Sequence, residues 1–237
     1  VTITAATDAG LLYGVQTLCQ LLVGPTNAPA VAGCTITDWP AFGVRGFMHD
    51  VGRNFQPINL LKTQIEAFAR YKLNTFHWHL TEHAAWRIQS TLYPQLTDAT
   101  NHWATRDPGS FYTKAEIADF VNYCAERNIK VIPEIDIPGH SQAFRKAMGV
   151  TMSDPLAVQA LTNIVNELFD LLPTNLVPRI HFGTDEVSGS AETPHPDLIP
   201  SVVSTARSRG REVMTWWRGI TPVDNDVINQ VWAPHSP

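Results

Sequence analysis

Little in this chain points to a disulfide scaffold, a membrane span or a nucleic-acid surface. Cysteine is scarce: Cys19, Cys34 and Cys124 are an odd number without C-x-x-C spacing. That excludes a disulfide framework and a zinc ribbon and leads us to expect buried thiols. No apolar run approaches the ~20 residues needed to span a bilayer, so no membrane partner is expected. Charge is sparse, at 16% of residues, and sums to −5 with no cluster of Lys and Arg, which argues against a nucleic-acid partner. The opening Val1-Thr2-Ile3-Thr4-Ala5-Ala6 alternates like a strand and carries no basic stretch, so no targeting signal is read there. What remains is an ordinary globular composition, 44% hydrophobic over 237 residues. That is enough for one large α/β domain, or for one domain plus a remnant. Tryptophan is plentiful, and most of the seven are expected in the core.

The chain divides near residue 40. After the first strand, Asp8-Ala9-Gly10 starts a helix in which Leu11, Leu12, Val15, Leu18, Leu21 and Leu22 recur at helical spacing until Gly24-Pro25 ends it. A connector rich in Pro, Ala and Thr follows to Pro40. Residues 1–40 read as the end of a small α/β domain plus this connector, and residues 41–237 as the main domain. From Val44 the pattern is strand, helix, strand, helix. Strands are expected at 44–51 and 74–80, within the segments 130–140 and 179–187, and at 212–217 and 227–232. Helices are expected at 60–71, after Thr113 with Glu116 completing a capping box, from Asp154-Pro155 to about Leu172, and at 201–209. Alternating βα units of this length predict a parallel sheet. About six in succession fit an incomplete (β/α)8 TIM-type barrel, with the last two strands expected beyond Pro237 and Ala233 to Pro237 expected as the loop after a strand.

Three segments end in chemistry: Asn74-Thr75-Phe76-His77-Trp78-His79-Leu80-Thr81-Glu82-His83, Lys130 to His140, and Arg179-Ile180-His181-Phe182-Gly183-Thr184-Asp185-Glu186. Strands that each end in polar residues usually share one site at their carboxyl ends. Asp185 and Glu186 can serve it together only where the strand gives way to a loop, because adjacent strand side chains point to opposite faces.

In series these motifs resemble glycoside hydrolase family 20, the β-N-acetylhexosaminidases. The family pattern runs Arg-Gly-x-x-x-Asp-x-x-Arg, His-x-His-Leu-x-Asp-Asp, Pro-Glu-x-Asp-x-Pro-Gly-His and His-x-Gly-Gly-Asp-Glu. Here it is matched by Arg45-Gly46 with Asp50 and Arg53, by His77 to His83, by Pro133 to His140 and by His181 to Glu186. The resemblance implies a barrel preceded by a small α/β domain, and a retaining exo-glycosidase that removes terminal N-acetyl-β-D-hexosamine. Most glycosidases use one carboxylate as acid and another as nucleophile or base, and this family is a substrate-assisted exception. The resemblance therefore implies that the 2-acetamido oxygen of the substrate is the nucleophile and that an oxazolinium forms. Glu186 would then be general acid and base, in a partly desolvated position that raises its pKa, and Asp185 would hold the acetamido N–H. His140 resembles the histidine that orients the catalytic glutamate, with Glu82 as its carboxylate. Arg45 resembles the arginine that donates to sugar hydroxyls, and Trp216 and Trp232 resemble aromatic walls, while Trp217 is expected to pack away from Trp216. His79 and His181 are assigned to structural hydrogen bonds. The resemblance implies an amino-sugar glycan as substrate, no cofactor, no metal and a secreted or periplasmic setting; it does not specify an oligomeric state. The chain departs from the family at Glu82 and His83, where two aspartates are usual, and at Thr184, a glycine in the family and a change expected to be tolerated.

Two other readings compete. A metal-dependent barrel hydrolase could use His77, His79, His140, His181 and Asp185, since His-x-His on a strand puts two imidazoles on one face. A non-catalytic carbohydrate-binding barrel is suggested by Glu82, His83 and the missing strands.

Overall fold

The structure, a computed structural model, describes residues 1–220 and 226–232. Six parallel strands form one sheet in chain order: β1 (Gly46–Asp50), β2 (Thr75–His79), β3 (Lys130–Ile137), β4 (Arg179–Gly183), β5 (Glu212–Trp216) and β6 (Ile228–Gln230). Each strand pairs with the next in parallel, and the order never reverses. A doubly wound sheet would reverse at a switch point, whereas a barrel wall advances one strand at a time. The wall is therefore an incomplete TIM-type barrel, as the alternation of the sequence predicts.

The helices form where local chemistry favours them. Thr113 accepts the Glu116 N–H and Glu116 returns a bond to the Thr113 N–H, the expected capping box, opening α3 (Lys114–Ala125). Asp154 caps α5 (Pro155–Leu171) with Pro155 in its first turn. The buried stripe of α5 is Ala157, Ala160, Leu161, Ile164, Val165, Leu168 and Phe169. Each fully buried branched side chain of this kind contributes roughly 1.5–3 kcal/mol. α2 (Ile58–Arg70) and α6 (Leu198–Ser208) bury shorter stripes in the same way. Strand alternation sorts the rest. Phe76, Trp78, Ile135, Ile137, Ile180 and Phe182 are buried in the core under the helices, with Phe76 and Trp78 meeting Phe120 of α3 at 5.5 and 4.7 Å. The opposite faces of the same strands carry His77, His79, Glu134, Asp136 and His181 into the interior of the wall.

α4 (Gln142–Met148) has no counterpart among the expected helices, because seven residues are too few for a periodic signal. The long excursion between β2 and α3 is held by Arg87, which is fully buried and bonded only to carbonyls. Nε donates to Val51 O (3.0 Å), Nη1 to Asp107 O and Ser110 O (2.8 and 2.7 Å), and Nη2 to Gly52 O and Arg106 O (3.3 and 2.7 Å).

The first 40 residues differ from expectation. Val1 to Ala6 is not a strand, because no described segment pairs with it. α1 (Asp8–Leu21) forms with Thr7 as its cap but buries none of its residues, and Leu11, Val15, Leu21 and Leu22 are exposed. It is hydrogen-bonded to the barrel: Gln20 donates to Arg70 O, Asn128 donates to the Tyr13 hydroxyl, and Lys72 donates to Thr17 Oγ1. Of the cysteines only Cys124 is buried, and Cys19 and Cys34 are exposed. The segment 233–237, expected as a loop, lies outside the described residues.

Candidate active site

The loops that leave β2, β3 and β4 converge at the carboxyl end of the sheet. Glu82, only 3% exposed at its side chain, sets Oε1 2.9 Å from His140 Nδ1. The other ring nitrogen, His140 Nε2, lies 3.2 Å from Glu186 Oε2. Burial works against a charge on His140, but the hydrogen bond and charge of Glu82 outweigh it and raise its pKa. A carboxylate, an imidazole and a second carboxylate thus stand in line, and the extra methylene of Glu82 does not break the connection. The expected desolvation of Glu186 is not found, since its side chain is 56% exposed. Asp185 is the more enclosed of the pair. Burial pushes its carboxyl pKa up, with His140 acting in the opposite direction. Carboxyl oxygens of Asp136 and Asp185 and a nitrogen of His140 lie within 4.8 Å of one another, so both acids that follow β4 face this imidazole.

Beneath this line lies a second, fully buried cluster centred on Glu134. His79 Nδ1 is 2.7 Å from its Oε2, and the Trp216 indole N–H donates to Oε1 at 2.8 Å. His77 Nε2 lies 2.7 Å from Oε2 without the alignment of a hydrogen bond, and His181 Nδ1, which accepts the Gly183 N–H, is 3.1 Å from Oε1. Burial alone would raise the Glu134 carboxyl, but the facing His79 and His181 bring it well below the usual range. Burial likewise opposes a charge on His79, yet Glu134 pushes its pKa up to about 9. Two residues along the same strand face, Asp136 goes the other way: burial first, then the negative charges of Glu134 and Asp185, hold it well above the carboxylate range. The two acids on this strand face are thus shifted in opposite directions.

Glycines mark where the loops touch. A Cβ on Gly183, whose φ is +62°, would fall inside the Asp136 carboxyl, and one on Gly139 would overlap the Asp185 carbonyl. Three non-glycine residues at the site hold positive φ: His140 (+52°), Thr184 (+80°) and Glu186 (+48°). Thr184 is the least suited, because a β-branched side chain is a true outlier in that region. It is also fully buried with its hydroxyl unpartnered. The change from glycine is therefore a strained one, contrary to the expectation of easy tolerance. Left-handed backbone costs an L-residue roughly 1–2 kcal/mol, and glycine's greater freedom in the unfolded chain offsets part of that. Thr184→Gly should raise stability by ~1 kcal/mol, a rise of about 2–4 °C in Tm for a chain of this size. Thermal denaturation checks it; a lower Tm would show that the strain is illusory.

Not every expected residue comes to the site. Arg45 precedes β1 and sits at the amino end of the sheet, where its guanidinium donates to Lys72 O and Phe42 O and lies over the Tyr13 ring. It is a structural clamp, remote from the carboxyl ends. The arginine at the site is Arg53, which follows β1, pairs with Asp50, and places Nη2 3.1 Å from Glu82 Oε1 and 3.4 Å from His140 Nδ1. Trp216 is buried in the interior, its ring 5.5 and 4.5 Å from the His77 and His181 rings, with its indole N–H already used by Glu134. Trp217 donates its backbone N–H to Gln230 O and lies under the Arg218 guanidinium. Trp232, just past β6, is 53% exposed. His79 and His181 both make buried hydrogen bonds. The five residues of the metal reading do not form one cluster. His77 and His181 group with Glu134, His79 with Glu82 and Asp136, and His140 and Asp185 with Asp136. Sequence reasoning misses Glu134 and Asp136 as functional groups although both stand in a motif; their i, i+2 spacing on a strand is the signal that both face inward.

Comparison with known proteins points to one family. The pattern described as glycosyl hydrolase family 20, catalytic domain, matches residues 42–159, and the pattern for domain 2 of the same family matches residues 1–39. A β-N-acetylhexosaminidase from Cellulomonas fimi is 32% identical over 98% of the chain and 51% of its own length. A β-hexosaminidase from Porphyromonas gingivalis is 43% identical over 60% of the chain and 20% of its own length. Among solved structures, the Streptomyces plicatus N-acetyl-β-hexosaminidase complexed with Thio-NAglucal superposes with a TM-score of 0.83 at 32% identity, over 97% of the chain and 51% of that protein. The GH20 exo-β-N-acetylglucosaminidase of Vibrio harveyi, bound to N-acetylglucosamine, gives 0.83 at 27% identity over 97% and 44%. The chain spans about half, or less, of the length of these relatives.

Proposed function

The chain belongs to glycosyl hydrolase family 20, and from that premise we propose that it carries the acid–base and acetamido-orienting machinery of a retaining exo-glycosidase acting on terminal, non-reducing N-acetyl-β-D-hexosamine. The observation that carries this reading is the line Glu82–His140–Glu186 with Asp185 beside it. The sugar's own acetamido oxygen attacks the anomeric carbon, forming an oxazolinium and expelling the leaving alcohol. Glu186 protonates that alcohol and later takes a proton from the attacking water. Its exposure suits this work, since leaving group and water both approach from the solvent side. Asp185 orients the acetamido N–H and offsets the positive charge that develops on the ring. Arg53, at the carboxyl end of β1, takes the sugar-hydroxyl role that the sequence pointed to in Arg45. Residues 1–40 and 41–237 act as a supporting domain and a catalytic one.

The experiment is hydrolysis of an aryl N-acetyl-β-glucosaminide followed by proton NMR, which should show the β-anomer of the free sugar first, with inhibition by N-acetylglucosamine thiazoline. Arg53→Ala should raise KM about tenfold or more, while Arg45→Ala should leave KM unchanged and lower Tm. Release of the α-anomer first, or thiazoline binding with no turnover, would overturn the proposal; the second outcome would favour a carbohydrate-binding barrel.

A further inference from the structure

Glu82 and His83 leave β2 side by side, and His83 brings a second imidazole to His140. The two rings are 5.0 Å apart and inclined at 35°. One ligand atom each from Glu82, His83 and His140 lies within 4.8 Å of the others. Glu82 spends Oε1 on both His140 and Arg53, which leaves Oε2 buried and without a hydrogen-bond partner. Two imidazoles and one carboxylate are the ligand set of many three-residue zinc sites that keep an open fourth position. His83 is half-buried, giving an ion a way in from solvent, and Glu186 and Glu192 stand nearby. Arg53 Nη2 lies 3.1 Å from Glu82 Oε1 and 3.4 Å from His140 Nδ1, so an ion there takes the place of this guanidinium, and the Arg53 side chain, 45% exposed, has room to swing into solvent.

We propose that Glu82, His83 and His140 form an inhibitory site for a first-row transition dication, for which Zn2+ is the probe. The ion takes the place of the proton shared between His140 Nδ1 and Glu82 Oε1, so metal uptake and an intact relay exclude each other. Binding follows from the geometry alone; the inhibition rests on the function proposed above.

Calorimetric titration of the chain with Zn2+ should reveal one site, with proton release seen as a dependence of the heat on the buffer. His83→Asn, checked for native folding by circular dichroism, should weaken that site by about 10–100-fold, the usual effect of losing a supporting contact or more at a metal centre. Equal affinity in the variant, or no binding above adventitious levels, overturns the site. Should the variant fail to fold, Co2+ loaded into the unaltered chain decides instead: intense visible absorption of a four-coordinate site supports the proposal, and the pale spectrum of a hydrated ion overturns it. In turnover assays Zn2+ should inhibit the unaltered chain, while His83→Asn keeps its basal rate and resists the ion. Zinc binding in a chain that never hydrolyses an N-acetylhexosaminide would sink the function proposed above and leave the site standing.

Discussion

Glu186→Gln is expected to lower kcat on an unactivated N-acetyl-β-hexosaminide by about 10²–10⁴-fold, the range typical of a lost general acid–base group. Glutamine keeps the shape of the side chain and removes only the transferable proton. No described residue can substitute at that point. His140 touches Glu186 through Nε2 but is tied on its other side to Glu82, and Asp185 is turned into the more enclosed part of the site. The deficit should shrink sharply for substrates whose leaving group departs without protonation, such as a dinitrophenyl glycoside. A ratio of rates that is the same for good and poor leaving groups would remove Glu186 from the acid role.

Asp185→Asn should act differently, costing about 10²–10³-fold for both substrate types, comparable to loss of one preorganised electrostatic contact. Its task is charge: a carboxylate opposes the cation that forms on the ring, and an amide does not. The pH dependence follows from the raised pKa of Asp185. Below that pKa the group is neutral and the stabilisation is lost. The acid limb of kcat/KM should therefore sit at higher pH than an ordinary aspartate would give, and should fade in Asp185→Asn. If Asp185→Asn turned over aryl glycosides at the normal rate, the substrate would not be supplying its own nucleophile.

Much of the barrel is legible in the sequence because its signals are local. Thr113 and Glu116, or Asp154 and Pro155, announce their helices within four residues, and the apolar stripe of α5 needs no knowledge of the rest of the chain. Asp185, Glu186, His140 and Glu82 are legible for a related reason: each follows a strand, and parallel barrels present their chemistry there. Arg45 and Arg53 show the limit. Both lie in one motif, but one precedes β1 and the other follows it, so the length of the strand separates them. Strand direction, not residue type, decides which one meets the site. The strain at Thr184 lies in a dihedral angle, which no composition reveals. Val1 to Ala6 fails in a third way. Its alternation is real, but a strand needs a neighbour, and none of the described residues supplies one.

Arg87 gives the site a setting that acid does not loosen. Burial lowers its pKa to about 10, still far above the range in which carboxylates titrate, and its five acceptors are amide carbonyls that carry no proton to lose or gain. As a solution is acidified, the carboxylates around His140 are neutralised one after another while the girdle joining Val51 and Gly52 to residues 106–110 keeps its grip. Acid should silence the chemistry first and the architecture only later, so that activity returns on neutralisation.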